Sequence, residues 1–165
     1  MSKPDPGTLR LVAATDAHFV ALAANQAPAG FGVPEGGVDT REVIEMLGAL
    51  ARTVGIQIDP AAWLIVNDDE VVGLCSITKA FAGSGVVEIG YGIAPERRGS
   101  GFAAKAVSKM LDLARADARI TIVAAETAID NLQSQGTLEK NGFRRTGERI
   151  DPDDGAVFCW QVAVG

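Results

Sequence analysis

The stretch Pro95-Glu96-Arg97-Arg98-Gly99-Ser100-Gly101-Phe102-Ala103 constrains this chain most, because it leads directly from an apolar strand into an apolar-striped helix. Two glycines let the backbone approach a ligand closely, the first helical N–H groups have no intrahelical partners, and the helix dipole adds partial positive charge. Arg97 and Arg98 reinforce the sign. The join is an anion cradle, and its expected ligand is a phosphate or pyrophosphate.

The rest of the chain sets the context of that cradle. With 165 residues, 47% of them hydrophobic, residues 1–165 are expected to form a single domain with a real core. A net charge of −6 lacks the basic footprint of a nucleic-acid binder and mildly favours a cationic substrate. Cys75 and Cys159 lie far apart in apolar strand-like segments and read as buried free thiols of a reducing compartment. No apolar run is long enough to span a membrane, and the start from Met1 to Gly7 is too polar for a signal peptide, so a cytoplasmic protein with no membrane partner is expected.

Along the chain, Thr8 to Ala13 reads as a first strand, and Thr15 or Asp16 can cap a helix to about Asn25. The Pro- and Gly-loaded segment from Pro28 to Gly37 is expected to be an exposed, mobile loop. Asp39 or Thr40 then caps a helix carrying Val43, Ile44, Met46, Leu47 and Leu50. Trp63 to Val66 and Val71 to Ile77 flank Asn67-Asp68-Asp69-Glu70, which is a hairpin turn and not a metal site. In the strand Val86 to Ile93, Val87, Ile89, Tyr91 and Ile93 share one face and Glu88, Gly90 and Gly92 the other. A carboxylate beside two glycines on a nearly bare face suggests a site, whereas Tyr91, on the apolar face, reads as core packing, as do Trp63 and Trp160.

The helix after the cradle, with Ala103, Ala106, Val107, Met110, Leu111 and Ala114 at helical spacing, packs on the core to about Ala116. Ile120 to Ala125 is a strand, Asp130 caps a helix through about Lys140, and Asn141-Gly142 closes it. Arg144 to Ile150 and Ala156 to Val164 form a last hairpin around an acidic turn that lacks calcium-loop spacing. Gly99 to Ala104 also satisfies G-x-G-x-x-A, with Glu126 further on at a strand end, but too few residues follow for a doubly wound dinucleotide fold. No Gly-Lys-Ser/Thr marks a P-loop and no G-x-S-x-G marks a serine hydrolase, while His18, the chain's one histidine, reads as an ordinary helix residue.

Two segments together resemble the GNAT superfamily of acyl-CoA-dependent N-acetyltransferases. Glu96-Arg97-Arg98-Gly99-Ser100-Gly101 stands where the family has [Q/R]-x-x-G-x-[G/A], matching at the glycines and departing at Glu96. Asn131-Leu132-Gln133-Ser134 followed by Leu138-Glu139-Lys140-Asn141-Gly142-Phe143 is similar to the family's N-x-x-S/A…LEKxGF segment. Within the superfamily the chain looks closest to the branch of ribosomal-protein N-terminal acetyltransferases. The resemblance implies an α+β fold, a mixed, mainly antiparallel sheet of about seven strands flanked by helices and splayed beside the cradle to admit coenzyme A. It implies acetyl-CoA as co-substrate with no metal, and it assigns coenzyme binding to Ile93, Arg98, Gly99, Ser100, Gly101, Phe102, Ala103 and Asn131. A small-molecule, peptide or protein amine is the implied acceptor, and a homodimer is compatible with it.

Acetyl transfer to an amine needs a neutral nucleophile, a polarised thioester carbonyl and stabilisation of the departing thiolate. Glu88, which matches a carboxylate on the family's fourth strand, is the first candidate for the base and Glu126 the second; Glu126 can equally be a structural charge. Many family members carry a tyrosine where Leu138 stands, so Ser134 is the remaining candidate to meet the thiolate, as hydrogen-bond donor or as acid. Asn131 either bonds the pantetheine or caps its helix. A non-catalytic acyl-CoA sensor or interaction module stays open, because Glu96 departs from the signature and the tyrosine is missing.

Overall fold

The run Ala62–Asn67 is apolar on both faces and buried along its whole length, which places it inside a sheet covered on two sides. In the computed structural model, which describes residues 8–80 and 83–165, it is strand β2 of a seven-stranded sheet. Its neighbours in chain order are β1 (Leu9–Ala13), β3 (Glu70–Ala80), β4 (Val86–Ile93), β5 (Ile122–Ala128), β6 (Arg144–Asp151) and β7 (Gly155–Ala163). The spatial order is β1-β2-β3-β4-β5-β7-β6, and only the β4–β5 pair is parallel. The expected mixed, mainly antiparallel α+β architecture is therefore present.

Helices cover both faces. On one, α1 (Asp16–Ala23) and α2 (Arg41–Val54) bring Phe19, Leu22 and Ile44 onto Leu64, Val66 and Leu74. On the other, α3 (Phe102–Arg115) packs Phe102, Val107, Met110 and Leu111 against Trp63, Ile65, Ile89 and Trp160. Helices α1 and α2 start where the sequence supplies a side-chain cap. Thr15 and His18 form a reciprocal capping box on α1, and the Thr40 hydroxyl accepts the Val43 amide at α2. The β2–β3 turn holds Asp68 and Asp69 at φ 50° and 63°, the left-handed geometry of a tight hairpin.

Four expectations change. The segment from Pro28 to Gly37 is anchored: Gly32 forms a bridge to Glu70 through two backbone hydrogen bonds of 2.9 Å, and Pro34 is fully buried. Helix α4 (Leu132–Lys140) is capped by Asn131, whose Oδ1 accepts the Ser134 amide at 3.1 Å, and not by Asp130. The strand expected over Ile120–Ala125 is β5, two residues further on at each of its ends or more, because Ile120 and Thr121 are taken up by turn bonds to Asp117 and Gly85. Both cysteines are free, but only Cys75 is buried, while Cys159 is half-buried near Glu126. Among the described residues no helix is long and apolar enough to cross a membrane.

Candidate active site

The site begins where β4 and β5 part. These parallel strands pair only over Val86–Glu88 and Ile122–Ala124, after which their facing edges part while β4 stays paired with β3 and β5 with β7. Unpaired strand edges inside a sheet leave backbone donors and acceptors facing a gap, and a ligand placed there can complete the ladder. The gap opens at the end of β4 onto the cradle.

In the cradle a 3-10 turn over Pro95–Arg97 precedes the two glycines, which adopt φ 82° and 79° at Gly99 and Gly101. This left-handed conformation is costly for any residue with a Cβ. Gly101 is the N-cap of α3 and offers no side chain, so the first amides of that helix are open to an anion. The cradle forms one wall of a cleft of ≈ 610 Å³ whose other wall is the start of α4. Of the residues predicted to bind the coenzyme, Ile93, Arg98, Gly99, Gly101, Phe102, Ala103 and Asn131 line this cleft, and Ser134 joins them. Ser100 does not line it. The Arg98 guanidinium reaches back to the Ile93 carbonyl at 3.2 Å, fixing the strand end relative to the cradle. Arg97 forms a two-bond ion pair with Glu70, at 2.6 and 3.0 Å, so its charge is largely matched within the protein. Glu96 points the other way, toward Gly36, and leaves the cleft unobstructed.

The Leu138–Phe143 segment anchors α4, whose first turns form that second wall. Leu138 is wholly buried and Phe143 nearly so, and the Asn141 side-chain amide donates to the carbonyls of Thr137 and Ala104, tying the end of α4 to α3. Gly142 supplies the left-handed exit at φ 83°.

On the opposite face of β4 lies a smaller cavity of ≈ 150 Å³, floored by Leu74, Ser76, Gly90 and Gly92 and roofed by Asp39, Val43 and Leu47. The bare face formed by the two glycines is what leaves room for it; one Asp39 carboxylate oxygen points toward Gly92. Tyr91 and Gly92 border both cavities, which flank the end of β4.

Glu88 and Glu126 share the Gly90 face, since Glu88 pairs with Ala124, two residues before Glu126. Burial pushes the Glu88 carboxyl above its ordinary value, and the Glu126 charge adds to this, against the opposing effect of Lys79, whose Nζ lies 3.6 Å away. Glu126 goes in the other direction: Arg149 grips both its carboxylate oxygens and holds it below the ordinary carboxylate range. Arg149 is itself held by Asp151 at 2.9 Å.

Tyr91 is the residue that sequence reasoning assigned only to the core. Its ring does pack there, but its hydroxyl emerges into the cleft 2.7 Å from the Ser134 Oγ. Alternation along β4 reveals which face a residue takes, but the position of the phenol tip depends on α4, which is 43 residues away in the chain. Among the described residues no group of three or more His, Cys, Asp or Glu side chains could hold a metal ion.

A splayed parallel pair, a two-glycine cradle at the head of α3 and a capped α4 facing it define an acyl-CoA-binding type of fold. Residues 8–144 match the family described as the acetyltransferase (GNAT) domain, and the chain belongs to that family. It is 33% identical over 84 residues to an uncharacterized N-acetyltransferase of Bacillus subtilis, YjdG, covering 50% of each protein. The chain spans about half the length of the curated relatives it matches. Among solved structures it resembles a spermidine N-acetyltransferase SpeG chimera from Vibrio cholerae and hSSAT, at 18% identity and a TM-score of 0.73 over 95% of this chain and 96% of that one. It resembles RimL, a ribosomal L7/L12 α-N-protein acetyltransferase in complex with coenzyme A, equally well, at 18% identity and a TM-score of 0.73 over 95% and 94%. These likenesses establish the fold and do not separate one branch of the family from another.

Proposed function

We propose that this protein transfers an acetyl group from acetyl-CoA to a primary amine by direct attack on the thioester. The observation that carries this reading is a pair of cavities that share Tyr91 and Gly92, one lined by the two-glycine cradle and one on the face of β4 that holds Glu88. Coenzyme A fits the larger cleft: its pyrophosphate would rest on the cradle at the head of α3, and its pantetheine would run along the edge of β4 that faces β5, toward Ile93 and Asn131. The acceptor enters from the α2 side. Its nitrogen forms a bond to the thioester carbon as the C–S bond breaks, the electron pair leaves on sulfur, and the ammonium proton passes to Glu88 directly or through water.

Glu88 is favoured over Glu126 as base because the two carboxylates are pushed apart: the one with the raised pKa is the better proton acceptor, whereas the other is held ionised by Arg149. The smaller cavity is lined mainly by apolar and hydroxyl side chains with one carboxylate, Asp39, which suits an acceptor carrying a single positive charge better than a polyamine. An α-amine, with a reference pKa of about 7.7 to 8.0, also loses its proton more readily than a lysine near 10.4. An α-amine is also the acceptor type that the sequence resemblance to the ribosomal-protein N-terminal acetyltransferases suggests.

The test is thiol release from acetyl-CoA across a panel of peptide α-amines, lysine peptides, polyamines and aminoglycosides. Turnover highest with α-amines is expected. Tight acetyl-CoA binding with no turnover on any amine would instead identify an acyl-CoA sensor.

A further inference from the structure

We infer that Tyr91 is a positioning residue that works through Ser134: its phenol donates to the Ser134 Oγ, so that the serine hydrogen points into the cleft and stabilises the departing thiolate of coenzyme A. The inference rests on coenzyme A occupying the cleft. Leu138, wholly buried, has no polar atom to offer the sulfur, so another donor must meet the negative charge. Tyr91 and Ser134 both line the cleft, Tyr91 also borders the smaller cavity, and their oxygens are 2.7 Å apart where the thioester would lie.

The direction of the bond follows from what each atom can do. If the serine donated to the phenol, the Tyr91 hydrogen would be left with the Ser134 carbonyl at 3.4 Å, a long contact, and no hydrogen would face the ligand. With the phenol as donor, one short bond is made and the serine hydrogen is free for an acceptor. A thiolate accepts only, so its formation selects this arrangement and strengthens both bonds together. The phenol is kept protonated through the working range because burial raises its pKa above the ordinary value. No proton need cross: the thiolate leaves as an anion and gains its proton from water after release. The charged side chains that line the same cleft are Arg97, which is paired with Glu70, Arg98, which donates to the Ile93 carbonyl, and Lys140; all three are present in each variant tested below, so their field does not change.

The ionisation of bound coenzyme A tests this without an acceptor amine. The thiolate absorbance of coenzyme A would be titrated against pH in complex with the wild type, Tyr91→Phe, Ser134→Ala and the double variant, with protein alone as the baseline. The wild-type complex should ionise roughly one pH unit below free coenzyme A, as expected for a charge-assisted hydrogen bond. Tyr91→Phe should move the midpoint back toward that of the free thiol, and it should add nothing to Ser134→Ala. An unchanged midpoint in Tyr91→Phe, with coenzyme affinity retained by calorimetry, overturns the inference while leaving the cleft assignment intact. Failure of the wild type to bind coenzyme A overturns both. Should Tyr91→Phe not fold, Ser134→Ala, which keeps the ring in the core, must show the same upward shift or the inference falls.

Discussion

Glu88 and Glu126 are adjacent carboxylates with opposite surroundings, and the difference yields separable expectations. A base must be ionised to act, and burial raises the Glu88 pKa, so turnover should fall with decreasing pH at a point above the range of an ordinary carboxylate. Glu88→Gln should lower kcat by about 10²- to 10⁴-fold and remove that acidic limb, with acetyl-CoA affinity unchanged by calorimetry. Wild-type turnover of this variant at neutral and alkaline pH would eliminate Glu88 as the base. Because a raised folded-state pKa means that ionised Glu88 costs stability above its unfolded value, the variant should melt no lower than wild type at neutral pH. Glu126 has the opposite sign. Its folded-state pKa is depressed by Arg149, so the stability it supplies is present above the unfolded pKa and lost as pH falls through the folded one. Glu126→Gln should therefore lower the thermal midpoint at neutral pH, and the gap from wild type should close in acid. A melting series over pH measures both effects.

The cradle and the strand before it form the element on which binding depends. Gly99 and Gly101 sit at φ 82° and 79°, where a β-branched residue is excluded by its own backbone. Gly99→Val or Gly101→Val should abolish coenzyme A binding in calorimetry while the sheet and the far end of α3 remain folded by circular dichroism; undiminished binding would exclude the cradle as the coenzyme site. The two-glycine strand–helix join was legible from the sequence because its requirement is local. So was the bare face of β4, from strict alternation. The Asn131 cap was legible only as one of two roles: Asp130 and Asn131 are both good capping residues, and the choice depends on how the chain leaves β5. That the Pro28–Gly37 loop is tied to the sheet was not legible, because nothing in its composition shows that Gly32 meets Glu70 at the β2–β3 turn.

Across the whole molecule, the sheet is continuous except where β4 and β5 separate, and a coenzyme bound in that gap would join the halves. Saturating coenzyme A at about 100 times its Kd should stabilise the fold by about 2.7 kcal/mol and raise its melting temperature. In hydrogen exchange, the added protection should concentrate at the end of β4, the cradle and the start of α4. Protection confined to other strands would place the ligand elsewhere. Strand and helix periods, the caps of α1 and α2 and the two family segments were determined by the sequence alone, because each depends on residues close together in the chain. Tertiary structure decided what the side chains at those positions do. It turned Arg97 toward Glu70, gave Glu126 to Arg149, and brought the tip of Tyr91 to Ser134. Those outcomes are set by contacts between residues 27, 23 and 43 positions apart, and such distances close only when the sheet and its helices have packed.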